Sequence, residues 1–285
     1  MAKKSVKEML INKEFVCAIG VGNALEAKLV EAAGFDCLYM TGYGVVAENF
    51  GYPDIGLVTM SEMAETARRI TNATDLPLIA DADTGYGNSI NVRRTVQEYE
   101  AAGVSVIQFE DQTWPKRCGH MEGKKLMPAN EMVANIKSAV DTRKSDDFLI
   151  IARTDAVAVE GFDAAIERGK LYAENGADIV FVEAPTDMAQ VQEIPKQLAG
   201  IPTLYNLSPK SPDLSKDEVA NMGFAVAIYP CICIAPHFYG IQKELEAFKE
   251  TGLSPSFTRW AGEFGDINNF LGLGRLRNLE EKYLK

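Results

Sequence analysis

The chain has 285 residues, 47% of them hydrophobic and 24% charged, with a net charge of −11 and a pI near 4.8. That balance suits one large soluble core and is long enough for an α/β barrel built as a single domain. The acidic charge disfavours bulk binding to nucleic acid or to a membrane surface, and no apolar run approaches the roughly 20 residues of a membrane helix.

The start, MAKKSVKEML, carries charge with no apolar run behind it, unlike a signal peptide. Cysteines stand at 17, 37, 118, 231 and 233, odd in number and scattered. They read as reduced thiols and predict a cytoplasmic location. Eight short apolar runs follow, each leading into a longer amphipathic stretch. The first is FVCAIG (15–20), and it ends in little polarity. GVGNAL (20–25) follows it and imitates a dinucleotide fingerprint. It lacks the third glycine and the later acidic residue, so no nucleotide site is expected. DCLYMTG (36–42) carries Tyr39, Thr41 and Gly42 at its end, with Tyr43 just beyond. LPLIADAD (76–83) ends in Asp81 and Asp83, and VSVIQFED (104–111) in Glu110 and Asp111. FLIIARTD (148–155) ends in Arg153, Thr154 and Asp155, and ADIVFVEAP (177–185) carries Glu183. IPTLYNLS (201–208) ends in Asn206 and Ser208, and FAVAIYP (224–230) in little polarity.

Near-continuous apolar runs are the mark of parallel strands buried on both faces. Several of the stretches between them close with Gly, as helices do. Eight such units predict a (β/α)8 barrel over residues 1–285, with residues from about 245 to 285 as a helical extension. A doubly wound open sheet is the alternative.

Barrels of this kind place their chemistry at the carboxyl ends of the strands. Carboxylates recur there, and a helix-covered core has no structural use for them. Asp81 and Asp83 are two residues apart, so both face the barrel mouth only if the chain is already turning. With Glu110 and Glu183 they form an all-oxygen set, which suits Mg²⁺ or Mn²⁺ rather than zinc. One or two direct ligands are expected, with the others acting through water. The structural alternative is that single carboxylates pair with Arg153 or cap helices.

After the fourth run comes PKRCGHMEGKK (115–125), expected as a loop over the mouth. Lys116, Arg117, Lys124 and Lys125 would raise the potential around Cys118 and draw in a carboxylated substrate. Gly119 and Gly123 would give the loop freedom, and His120 could pair with the thiol or with an acidic neighbour. Cys231 and Cys233 form a CxC without a second pair, which argues against metal binding there.

IADADTGYGN, QFEDQTWPKRCGHMEGKK, IIARTDAVAVEGFDAAIERGKLYAENGAD and VFVEAP together resemble the isocitrate lyase and phosphoenolpyruvate mutase superfamily. The resemblance runs from about Leu38 to about Pro230, and KRCGH resembles the signature of the carbon–carbon lyase branch. The short chain is most similar to its methylisocitrate and dimethylmalate lyase types. The resemblance implies a helix swapped between subunits of a homotetramer. It also implies Mg²⁺ with Asp83 as nearest ligand and Asp81 and Glu110 beside it. Thr41, Gly42 and Tyr43 would hold the oxo-acid half of the substrate. Arg153 would grip a carboxylate, and Gly119, His120, Glu183 and Asn206 would complete the binding surface. Cys118 would be the general acid, and Tyr39 or Tyr43 the base. The implied reaction cleaves a 2-hydroxy di- or tricarboxylate to a 2-oxo acid and a carboxylic acid. Oxaloacetate hydrolysis or decarboxylation is the alternative, and phosphonopyruvate chemistry a more distant one. After the seventh run the chain reads NLSPKSPDLS, without the glutamate of methylisocitrate lyases, which leaves a smaller malate-type substrate open.

Overall fold

All eight apolar runs form strands. The computed structural model describes residues 4–119, 123–208, 211–262 and 264–284. The strands are β1 (Val16–Val21), β2 (Cys37–Met40), β3 (Leu78–Asp81), β4 (Val106–Glu110), β5 (Leu149–Thr154), β6 (Ile179–Val182), β7 (Thr203–Asn206) and β8 (Val226–Tyr229). Each pairs in parallel with the next, and β8 pairs with β1, so the sheet is a closed barrel. Ala18 stands opposite Cys37 on one side of β1, and Val16 opposite Val226 on the other.

Two apolar cores result. The larger lies between sheet and helices and includes Leu38, Ile107, Phe109, Ile150 and Val180. The smaller fills the barrel with Ile79, Val106, Leu149, Ile151, Ile179, Phe181, Leu204 and Ile228. Side chains alternate across a strand, so the inward positions can be followed two residues at a time. Ile79 leads to Asp81, Val106 to Gln108 and Glu110, Ile151 to Arg153, Phe181 to Glu183, and Leu204 to Asn206. The lower layers are apolar and the top layer is polar.

A short helix, Val6–Ile11, precedes β1 and was not expected from the sequence. Ser5 and Glu8 close a capping box at its start. Its Val6 and Met9 are buried with Val16, Leu149 and Val226, the first residues of their strands, and so close the barrel's N-terminal end. The helices between strands end as predicted on glycines with positive φ, among them Gly34, Gly103, Gly176 and Gly223.

Contacts divide the chain into two units, Met1–Ile234 and Ala235–Lys285. The second contains the helix that runs to Thr251 and the helices Pro255–Gly262, Phe264–Phe270 and Leu273–Tyr283. No described helix is long and apolar enough to cross a membrane.

Candidate active site

The carboxyl ends of the strands surround a cavity of about 210 Å³. Tyr39, Thr41, Tyr43, Asp81, Glu110, Arg153, Glu183 and Asn206 line it, and so do Cys118 and Gly119 from the loop after β4. Gly42 and Asp83 lie directly behind this lining. A Cβ on Gly42 would come within 2.4 Å of Asp81 Oδ2, so only glycine fits there. Asp83 has a φ of 47°, which confirms that the chain has turned just past β3. That turn brings both aspartates to one mouth. His120 lies outside the described residues.

Four charged residues make the floor. Arg153 donates to Asp155 from Nε at 2.9 Å and from Nη2 at 3.0 Å. It also pairs with Glu110 and Glu183, each at 3.4 Å, and its guanidinium lies 5.2 Å from the Phe181 ring centre. Burial works against this cation, but Asp155, Glu110 and Glu183 outweigh it and hold Arg153 charged. Burial would likewise raise the Asp155 carboxyl. Arg153 and Lys124 overcome that and hold it at about 2.

The described residues of the cysteine loop are tied to the barrel at several points. Gln112 and Leu126 form a bridge at its base. The Gln112 side chain accepts from the Arg117 N–H at 3.1 Å and donates to the Arg117 carbonyl at 2.9 Å. Lys116 is 3% exposed and ion-pairs with Asp54 and with Asp83, the latter at 2.9 Å. The loop's cations therefore do not form one positive cloud around the thiol, as the sequence suggested. Lys116 and Lys124 turn inward and are matched by buried carboxylates. The physical reason is desolvation: an ammonium is removed from water only where a carboxylate meets it.

Asp54 lines the cavity and was not singled out in the sequence. It sits in GYPDIG, an ordinary Gly/Pro turn by composition, and no periodicity marks it. Ile228, Pro230 and Cys231 also line the cavity, so the eighth strand supplies its apolar wall. Its lack of terminal polarity was the signal, read only as an absence.

The electrostatics fit a divalent cation. Burial pushes Asp83 up to about 6, with Asp81 and Asp54 adding to what Lys116 only partly offsets. Burial also raises Asp81, and it raises Glu110 well above the usual carboxylate range. Lys116 meanwhile is held charged by Asp83, Asp54 and Asp81 against its own burial. One ammonium thus serves several carboxylates, and negative charge is left in excess. A hard cation among these oxygens would relieve that excess. No trio of Asp81, Asp83 and Glu110 brings its ligand oxygens within 4.8 Å of one another among the described residues. Asn206 donates to Glu183 at 3.2 Å, while its buried Oδ1 has no partner and is left to accept from a ligand.

Tyr39 is poorly placed as a base. Burial and then Asp81 push its phenol well above the ordinary value, and its oxygen accepts from Gln108 Nε2 at 3.2 Å. Tyr43 is 43% exposed and stands at the mouth.

Comparison with known proteins agrees with this geometry. Residues 7–248 match the family model described as phosphoenolpyruvate phosphomutase. The chain is 43% identical over 280 residues to 2,3-dimethylmalate lyase of Eubacterium barkeri, covering 98% of this chain and 96% of that one. It is 42% identical over 268 residues to 2-methylisocitrate lyase of Shewanella oneidensis, covering 93% and 91%. Oxaloacetate acetylhydrolase in complex with 3,3-difluorooxalacetate superposes with a TM-score of 0.92 at 33% identity, covering 99% of this chain and 97% of that one. A polar-topped barrel with a cysteine loop over its acidic mouth, matched along nearly its whole length, places the chain in the phosphoenolpyruvate mutase/isocitrate lyase superfamily, among relatives named as lyases.

Proposed function

We propose that the chain is a metal-dependent carbon–carbon lyase acting on a small 2-hydroxy dicarboxylate of the 2,3-dimethylmalate type. One observation carries this reading: Cys118 shares a single cavity with Asp81, Glu110 and Arg153. A proton donor and an anion-stabilising floor therefore face the same small volume.

Asp83, with Asp81 and Glu110 around it, would hold Mg²⁺ or Mn²⁺, which supplies positive charge to acidify the substrate hydroxyl. The protein's own groups do the rest. Arg153 grips the carboxylate next to the hydroxyl-bearing carbon. Thr41 and Gly42 hold the half that becomes the 2-oxo acid, and Glu183 and Asn206 bound the far side. Tyr43 takes the hydroxyl proton. The neighbouring carbon–carbon bond then breaks, and its electron pair passes to the departing acid as an enediolate. Cys118 protonates that carbon as general acid. The products are an oxo acid such as pyruvate and a saturated carboxylic acid. A working thiol needs a reducing compartment, which supports a cytoplasmic location.

Size supports a dicarboxylate over a tricarboxylate. The cavity, at about 210 Å³, is smaller than the ~300–1,000 Å³ typical of drug-sized ligands.

The test is a panel of hydroxy di- and triacids with Mg²⁺, following release of pyruvate, glyoxylate and the departing acid. Cleavage of 2,3-dimethylmalate with a higher kcat/KM than methylisocitrate is expected. Preferential conversion of oxaloacetate to oxalate and acetate would instead favour the hydrolase reading, which the likeness to oxaloacetate acetylhydrolase keeps alive. Treatment with a chelator should abolish turnover, and added Mg²⁺ should restore it. Activity that survives chelation would remove the metal from the scheme. We also propose a homotetramer, supported by the exposed apolar side chains of the second unit.

A further inference from the structure

Lys124 is a buried cation to which the lyase chemistry gives no task. Its side chain is 2% exposed. Its Nζ donates to the Gly119 carbonyl at 2.6 Å and to Asp155 Oδ1 at 2.8 Å. Gly119 follows Cys118 directly and sits hard against the site floor. A Cβ there would come within 2.3 Å of Arg153 Nη2. Asp155 Oδ1 is also the acceptor for that same Arg153 Nη2. One carboxylate oxygen thus receives both the loop's ammonium and the guanidinium of the floor.

Asp155 is itself held from behind. Its N–H donates to Asp111 Oδ1 at 2.9 Å. The other Asp111 oxygen accepts from Thr154 at 2.8 Å and from Tyr172 at 2.7 Å, and pairs with Arg168 at 3.3 Å. The anchor is therefore built into the barrel, and the loop is tied to it. The adjacent Lys125 is exposed, so burial is specific to Lys124 and not a property of the segment. An ammonium is buried at this depth only when its partners repay the desolvation, and here they are a carboxylate and one backbone carbonyl.

We infer that Lys124 is a positioning residue. It fastens the backbone beside Cys118 to Asp155, so that one carboxylate sets both the thiol and Arg153. The inference deepens the lyase reading and rests on it. Without Lys124, Arg153 keeps both of its bonds to Asp155, so substrate binding survives while the thiol loses its seat. A residue with only a structural role would lower thermal stability and leave the kinetics alone.

Lys124→Met removes the ammonium and keeps the apolar stem. Iodoacetamide labelling of the whole protein, located by mass spectrometry, reads the exposure of Cys118 without any substrate. Cys118 should react about ten- to a hundredfold faster than in the parent, the factor that goes with losing one charged hydrogen bond. Cys17, half-buried and far along the chain in β1, should label at the parent rate. With 2,3-dimethylmalate, kcat should fall by about tenfold or more while KM stays within about twofold. Gly119→Ala reaches the same state by another route, since its methyl lifts the backbone off Arg153. It should give the same labelling pattern even if Lys124→Met folds poorly. Parent-like labelling of Cys118 in both variants overturns the inference, as does equal acceleration at Cys17. A parent enzyme that turns over no hydroxy acid sinks the lyase reading instead, and labelling still decides the role of Lys124.

Discussion

Replacing the sulfur of Cys118 with oxygen changes little in size and removes the acid. Cys118→Ser should lower turnover of the best substrate about 10²-fold or more, the range for losing a general acid. Calorimetric binding of the product oxo acid should be nearly unchanged, because Arg153 and the carboxylates are untouched. Near-normal turnover would take the thiol out of the mechanism. Asp155 makes a second prediction, one of stability. Its folded value, about 2, lies below the 3.8 of the unfolded chain. The pairing therefore stabilises the fold above the unfolded value, and that contribution fades as pH falls toward 2. Asp155→Asn should cost about 2 kcal/mol or more near neutrality. In urea titrations the gap from the parent should narrow between about pH 5 and about pH 3. A gap independent of pH would mean that Asp155 is not the charged anchor described. Of these residues Cys118 stood out in the sequence because a thiol among cations is chemically conspicuous. Asp54 did not, because its ion pair with Lys116, 62 positions away, and its place at the cavity arise only in the folded chain.

The strands were legible because each is an almost unbroken apolar run, and six of the eight carry a polar end. The two-residue alternation inside the barrel was not legible, because near-continuous apolar runs hide which side chains face inward. Val106, Gln108 and Glu110 carry the gradient from core to site within one strand. The short helix Val6–Ile11 escaped notice because only Val6 and Met9 in it are buried, too few to set a period. It closes the barrel all the same. Met9→Ala should destabilise the protein by about 2–3 kcal/mol through the cavity it leaves, measured by chemical denaturation. A change near zero would mean that this helix only rests on the barrel. The loop from Gln112 to Leu126 was placed over the mouth from its position after β4. Its two inward lysines were not foreseen, since charge alone does not reveal which side chains are buried.

The 51-residue second unit raises the question of assembly at the scale of the whole molecule. Phe238, Tyr239, Leu245, Phe248, Phe257, Leu276 and Tyr283 are all more than half exposed. These exposed apolar side chains support an interaction site, and a second copy of the chain is the occupant we propose. Light scattering at micromolar concentration should return a tetramer, and a monomer would refute the proposed assembly. The amino-acid sequence by itself determined the barrel, the polar rim, the cysteine loop and the family. Those follow from local runs and motifs, where hydrophobic burial and strand period act over a few neighbouring residues. Only the tertiary structure decided that Lys116 meets Asp54 and Asp83, that Lys124 meets Asp155, and that Ile228, Pro230 and Cys231 wall the cavity. Ion pairing and cavity shape depend on distances across the folded chain, and desolvation selects which of several like charges may turn inward.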